Sequence, residues 1–145
     1  PPALYAGERR LPGGLGDGGG LEAYMTADKA LYAFFAGFGL PAYAGGVPDG
    51  AEMPYLTYEP AFASWGGQAS IAVSLWYYTQ EEETPNRKAR EVAQTIGPGG
   101  VVLGCEGGSV WLKRGSPWCT SPETGDDPKL KRRYLNVAAE YFTQD

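Results

Sequence analysis

The sequence predicts an α+β domain: an antiparallel sheet of about four to five strands with two helices packed on one face. Three observations carry that expectation. Several runs alternate apolar and polar residues with a period of two, the signature of strands buried on one side. Two other stretches place apolar residues at helical spacing between recognisable caps. The order is helix, hairpin, helix, hairpin, long loop, strand, which lacks the regular strand–helix alternation of a parallel sheet.

The first helix is expected from Thr26, a good N-cap, with Asp28 in the first turn, where a negative charge suits the helix dipole. Ala30, Leu31, Phe34, Phe35 and Phe38 make its apolar face, and Gly37, Gly39 and Pro41 stop it. A Pro/Gly-rich connection then leads to a hairpin. In its first strand Tyr55, Thr57 and Glu59 share one side and Leu56 and Tyr58 the other, until Pro60 limits the pairing. After Trp65 and Gly66-Gly67 the alternation resumes, with Ile71, Val73, Leu75 and Tyr77 on one face and Ala72, Ser74, Trp76 and Tyr78 on the other. Glu81, Glu82 and Glu83 are expected to close this second strand.

Thr84 as cap and Pro85 at the first helical position open the second helix, which carries an Ala89, Val92, Ala93, Ile96 stripe and ends at Gly97-Pro98. Residues 101–103 and 109–114 read as short strands around Gly107-Gly108. Residues 133–142 form a long alternating strand with Leu135, Val137, Ala139 and Tyr141 on one face. Between them RGSPWCTSPETGDDPK is expected to be a long loop with no element of its own, and such loops are usually functional or mobile.

Residues 1–24 are dense in Gly and Pro, have no sustained period and are expected to be a disordered extension to a single domain over 25–145. GLGDGG at 14–19 has dinucleotide-loop spacing, but no strand precedes it and no helix opens from it. A Gly-dense run just upstream of a Met is what a purine-rich ribosome-binding sequence encodes when read in frame, so translation is expected to start at Met25.

Composition narrows the function. At 145 residues with 43% apolar side chains the chain can bury one modest core. It has no apolar run of about 18 residues and no basic-then-apolar leader pattern, so no membrane partner and a cytoplasmic site of synthesis are expected. The chain has no histidine, which removes Ser-His-Asp and Cys-His nucleophile activation and the commonest transition-metal ligand. Cys105 and Cys119 cannot complete a zinc site alone and are expected to be reduced and passive; no metal and no cofactor are anticipated. The net charge of −5 disfavours nucleic-acid binding. The basic cluster Lys129, Lys131, Arg132 and Arg133 sits beside Glu123, Asp126 and Asp127 and reads as a solvated or protein-contacting run.

The element order, PYLTY opening a first strand, IAVSLWYYT as the second, a short capped helix and the basic start of KRRYLNVAAEYF together resemble the tail terminator proteins of long-tailed bacteriophages over residues 25–145. The resemblance implies a virion structural protein without catalytic residues. It would form a ring, expected to be a hexamer, on the head-proximal end of the tail tube. There it would stop tube growth and present the surface that joins the head. The implied partners are other copies of the chain, the tail tube protein and a head-completion protein, with DNA passing through the lumen without specific binding. Assembly would take place in the bacterial cytoplasm and the final location would be the virion tail. A related head-completion or minor capsid protein fits the same residues.

On that reading Glu81, Glu82 and Glu83 face Lys129, Lys131, Arg132 and Arg133 across a subunit boundary, with Trp76 and Tyr78 also reaching neighbours. Trp65 and Trp118, both in loop contexts, are the candidate tail-tube or head contacts. Two other classes compete. An enzyme would need a carboxylate pair such as Glu59 and Glu106. A cellular binding module would line a groove with Trp65, Trp76, Trp111 and Trp118.

Overall fold

The computed structural model describes residues 25–61, 63 and 66–143. The expected N-terminal extension, the expected start at Met25 as an end of the chain, and Trp65 lie outside what it describes or tests. Helix α1 spans Ala27–Phe35 and continues as one 3-10 turn over Ala36–Phe38. Strand β1 (Ala42–Ala44), β2 (Tyr55–Glu59) and β3 (Gln68–Tyr78) follow, then helix α2 (Glu83–Ile96) and strands β4 (Val101–Cys105), β5 (Gly108–Thr120) and β6 (Leu130–Phe142).

The class is α+β, but the sheet has six strands, in the order β1-β2-β3-β6-β5-β4, and is mixed. The extra strand is β1, which lies parallel to β2 with Ala42 opposite Leu56. Every other neighbouring pair is antiparallel. Three residues bracketed by Pro41 and Gly45-Gly46 give too short a run to show an alternation, so β1 reads as part of a connection. The β2–β3 hairpin forms as expected, with Tyr55 opposite Trp76 and Glu59 opposite Ala72.

The expected inner face is the core. Ile71, Val73, Leu75, Leu135, Val137, Ala139 and Tyr141 are all buried, together with Leu31 and Phe35 of α1 and Val92 and Ile96 of α2. Phe35 packs on Tyr58 of β2 with ring centroids 4.7 Å apart. Helix α1 also touches both edge strands, β1 and β4, so the sheet curls around it, as a right-handed twist permits. Thr26 caps α1 as expected, accepting the Lys29 N–H at 3.2 Å.

The start of α2 differs from expectation. The helix opens at Glu83, not at Pro85, and β3 stops at Tyr78. Thr79 ends the strand by folding its hydroxyl onto Glu81, donating to Oε2 at 3.1 Å and accepting the Glu81 N–H at 3.4 Å. Glu81 then accepts the Thr84 N–H at 2.8 Å. Thr84 therefore lies inside the first turn, and the carboxylate before it does the capping.

The long loop is also shorter than expected. Gly115 to Thr120 continue β5, which re-pairs with β6 after a bulge: Arg114 lies opposite Val137 and Cys119 opposite Leu135, leaving residues 115–118 against Asn136 alone. Two prolines in SPWCTSP argue against a strand in sequence terms, whereas a bulge accommodates one of them. Gly115 suits the bulge, because a Cβ there would meet the Asn136 side-chain amide at 2.5 Å and force it to move. The remaining connection, 121–129, is tied down by Thr124 Oγ1 donating to the Leu130 carbonyl at 2.7 Å and by Asp127 accepting the Lys129 N–H at 3.0 Å.

Candidate functional site on the uncovered sheet face

Both helices lie on one side of the sheet, and among the described residues no helix crosses the other. Strand register arranges that outer face in rows. Tyr55, Trp76 and Arg132 form one row, and Thr57, Ser74, Tyr134 and Thr120 the next. Ser70, Ala138 and Lys113 lie further along, and Gln68, Glu140, Trp111 and Val102 form the far row. The side chains are large at both ends and small between, where Ser70, Ala72 and Ala138 lie.

At one end Trp76 donates its Nε1–H to Thr57 Oγ1 at 3.0 Å. Arg132 lies over the Trp76 ring at 5.0 Å and over Tyr134 at 5.8 Å, and its Nε–H donates to Ser74 Oγ at 3.1 Å. At the other end Lys113 sits 4.3 Å from the Trp111 ring centre and 3.4 Å from a Glu140 oxygen, while Trp111 donates to the Gly99 carbonyl at 3.0 Å. Each cluster is thus an aromatic ring locked by its own hydrogen bond with a cation laid on its face, a rigid contact element with little entropy left to lose. Val102 stands beside the second cluster and is 61% exposed.

The acidic residues Glu81, Glu82 and Glu83 are exposed but engaged within the chain, and the basic residues divide between the two faces of β6. Glu82 reaches Arg133 on the covered side of the sheet and lies 3.6 Å from Lys131. Glu83 pairs with Arg87 at 2.7 Å within α2, and Glu81 is occupied as a cap. Arg133 is buried and also donates to Asn86 at 2.7 Å, while Lys131 donates to the Pro128 carbonyl. Lys129 lies 5.9 Å from the ring of Tyr78, whose hydroxyl donates to Asp127 at 2.9 Å. Glu82, Lys131 and Arg133 therefore meet within one chain, at the junction of α2 and β6, whereas Glu81, Glu83, Lys129 and Arg132 have other neighbours.

Period-two alternation was the available signal. Lys131 and Arg133 face inward opposite Tyr77 and Leu75, whereas Arg132 faces outward opposite Trp76, so KRR is two elements and not one block. Trp76 and Tyr78 do lie on the outer side of β3, and Tyr78 is 52% exposed. Trp118 differs from expectation: it sits in the β5 bulge, packs against the core, and has its Nε1–H buried without a partner.

Burial raises the thiols of Cys105 and Cys119, with Glu106 adding to the first and Arg133 opposing it at the second, so neither is an activated nucleophile. Glu59 borders a groove on the outer face and Glu106 lies in the β4–β5 turn outside it. No group of three or more His, Cys, Asp or Glu side chains that could hold a metal occurs among the described residues. None of the described helices is long and apolar enough to cross a membrane. No family model, curated protein or solved structure matches the chain.

Proposed function

We propose that the chain is a ring-forming structural subunit of a bacteriophage tail, a tail terminator that closes the head-proximal end of the tail tube. The observation that carries this reading is the outer sheet face, with a rigid aromatic–cation cluster at each end and small residues between. Contact surfaces concentrate aromatic and arginine side chains in this way, and half-exposed rings fixed by hydrogen bonds suit a protein interface. A closed ring needs two different patches per subunit that fit each other, and the Trp76–Arg132 and Trp111–Lys113 clusters differ in residues and neutralisation. The α+β order and the β2–β3 hairpin followed by α2 accord with the resemblance drawn from the strand text. The net charge of −5 suits a lumen through which DNA slides without sticking.

The test is capping. Purified tail tubes lacking a terminator are mixed with the protein and imaged by negative-stain electron microscopy. Rings seated on one tube end, and tubes that no longer elongate when tube protein is added, support the reading. Rings bound only to isolated heads would make the chain a head-completion protein instead.

A further inference from the structure

Beside β1 the outer face is indented by a groove of about 310 Å³, walled by Gly45, Gly46, Thr57, Glu59, Trp76 and Arg132. We propose that this groove is a carboxylate-binding subsite, with Arg132 as the anion-binding group, and that its occupant is an acidic, extended segment of a partner protein. The groove lies on the same outer face that the ring reading uses, and its test on the free subunit reads out separately from ring formation.

The guanidinium is built in place. Its Cζ lies 5.0 Å from the Trp76 ring centre and 5.8 Å from that of Tyr134, and its Nε–H is committed to Ser74 Oγ at 3.1 Å. That leaves the two terminal NH₂ groups, which form an end-on fork matching the two oxygens of a carboxylate. No acid lies within ion-pair distance of Arg132 among the described residues, whereas Lys113 has Glu140, and Lys131 and Arg133 have Glu82. A half-buried guanidinium with no acidic partner among the described residues presents a strong charge-assisted donor pair whose ordering cost is already met by the fold.

The groove favours a carboxylate over a phosphate. Arg132 is its one cation among the described residues, Glu59 borders the same groove, and the chain carries a net charge of −5, all of which penalise a dianion more than a monoanion. The groove is also continuous with the outer sheet face, and Gly45 and Gly46 leave part of its wall, beside Val47 and Tyr55, without side chains. That shape admits an extended chain with one acidic side chain turned down onto Arg132. Glu59, opposite the anion site, complements a basic or neutral residue further along the same segment.

The probe is an uncharged-ended heptapeptide of alternating glycine and glutamate, with a glycine–glutamine version and inorganic phosphate as comparisons. Binding is followed on isotope-labelled protein through the Arg132 Nε–H resonance, assigned by its loss in Arg132→Lys, and through the Ser74 and Trp76 backbone amides. Saturable shifts with the glutamate peptide, at least about tenfold weaker with the glutamine peptide and about tenfold weaker in Arg132→Lys, are expected. The variant keeps the charge and loses the fork, so equal binding by Arg132→Lys overturns the proposal. Equal response to the glutamine peptide, tighter binding of phosphate than of the glutamate peptide, or no shift at these three positions overturns it as well.

Discussion

Arg133 and Glu82, 51 residues apart in the chain, form an ion pair that joins the start of α2 to the covered face of β6. The guanidinium is buried while the carboxylate is largely exposed, and Asn86 and the Arg132 carbonyl take further Arg133 donors. A buried arginine on the covered face is costly unless every donor is met, so these contacts set where α2 docks. Reversing Glu81–Glu83 to lysine therefore disturbs the subunit itself and does not report on a boundary between subunits.

Acid should loosen this docking first. The Arg133 hydrogen bond holds the Glu82 carboxyl below the ordinary range, and the Lys129 backbone N–H does the same for Asp127. Because the folded values lie below the unfolded ones, the stabilisation is complete above the ordinary carboxylate range and is lost as pH falls through the folded values. Glu82→Gln is expected to lower the thermal midpoint at neutral pH and to flatten its fall in acid. Thermal scans between about pH 7 and pH 3 check this; parallel curves for the two proteins contradict it.

Alkali acts through a different group. Burial, then the charge of Glu91, pushes the Tyr77 phenol up to about 12. A raised folded value means that this contribution is full below the ordinary tyrosine value of about 10 and is lost as pH rises towards the folded value. Tyr77→Phe should shift alkaline unfolding to higher pH, measured by far-ultraviolet circular dichroism alongside phenolate absorbance.

Gly108 opens β5 opposite the end of β6, with φ at +155°, and a Cβ there would overlap the Phe142 carbonyl. The obstacle is backbone, which cannot swing away as a side chain could. Gly108→Ala is expected to cost upwards of about 4 kcal/mol in denaturant unfolding, against well under 1 kcal/mol at an exposed, unconstrained position. A cost below about 1 kcal/mol would show that the β5–β6 register is set elsewhere.

Trp118 offers a separation of packing from polarity. Its ring fills space beneath the β5 bulge while its buried N–H lacks an acceptor. Trp118→Phe keeps most of the ring and removes the unmet donor, so the expected change is neutral or a gain of up to about 1 kcal/mol. Trp118→Ala should lose about 3–5 kcal/mol through the cavity. Comparable losses in both variants would mean that the N–H is satisfied in solution.

Where side chains alternate over many residues the fold was legible. The inner faces of β3 and β6 are the residues that periodicity selects, because one side of each strand is buried along most of its length. The cap of α1 and the stripe of α2 were legible for the same local reasons. What escaped depends on contacts distant in sequence. β1 exists only because β2 supplies a partner, and Gly115 to Thr120 become strand only because β6 runs beside them. The candidate face is half legible: alternation puts Trp76 and Tyr78 outward, but the approach of Arg132 to the Trp76 ring needs the β3–β6 register, which no local pattern encodes.

On the proposed function the outer sheet face is a contact between copies. Native mass spectrometry of the protein over a wide concentration range tests this most directly, with Trp76→Glu alongside. The wild-type chain is expected to populate a closed multiple of the 15.5 kDa subunit, and the variant, substituted at a half-exposed outer position, to remain a folded monomer by circular dichroism. A wild-type chain that stays monomeric at every concentration, or a variant that assembles as well as the wild type, would contradict the account.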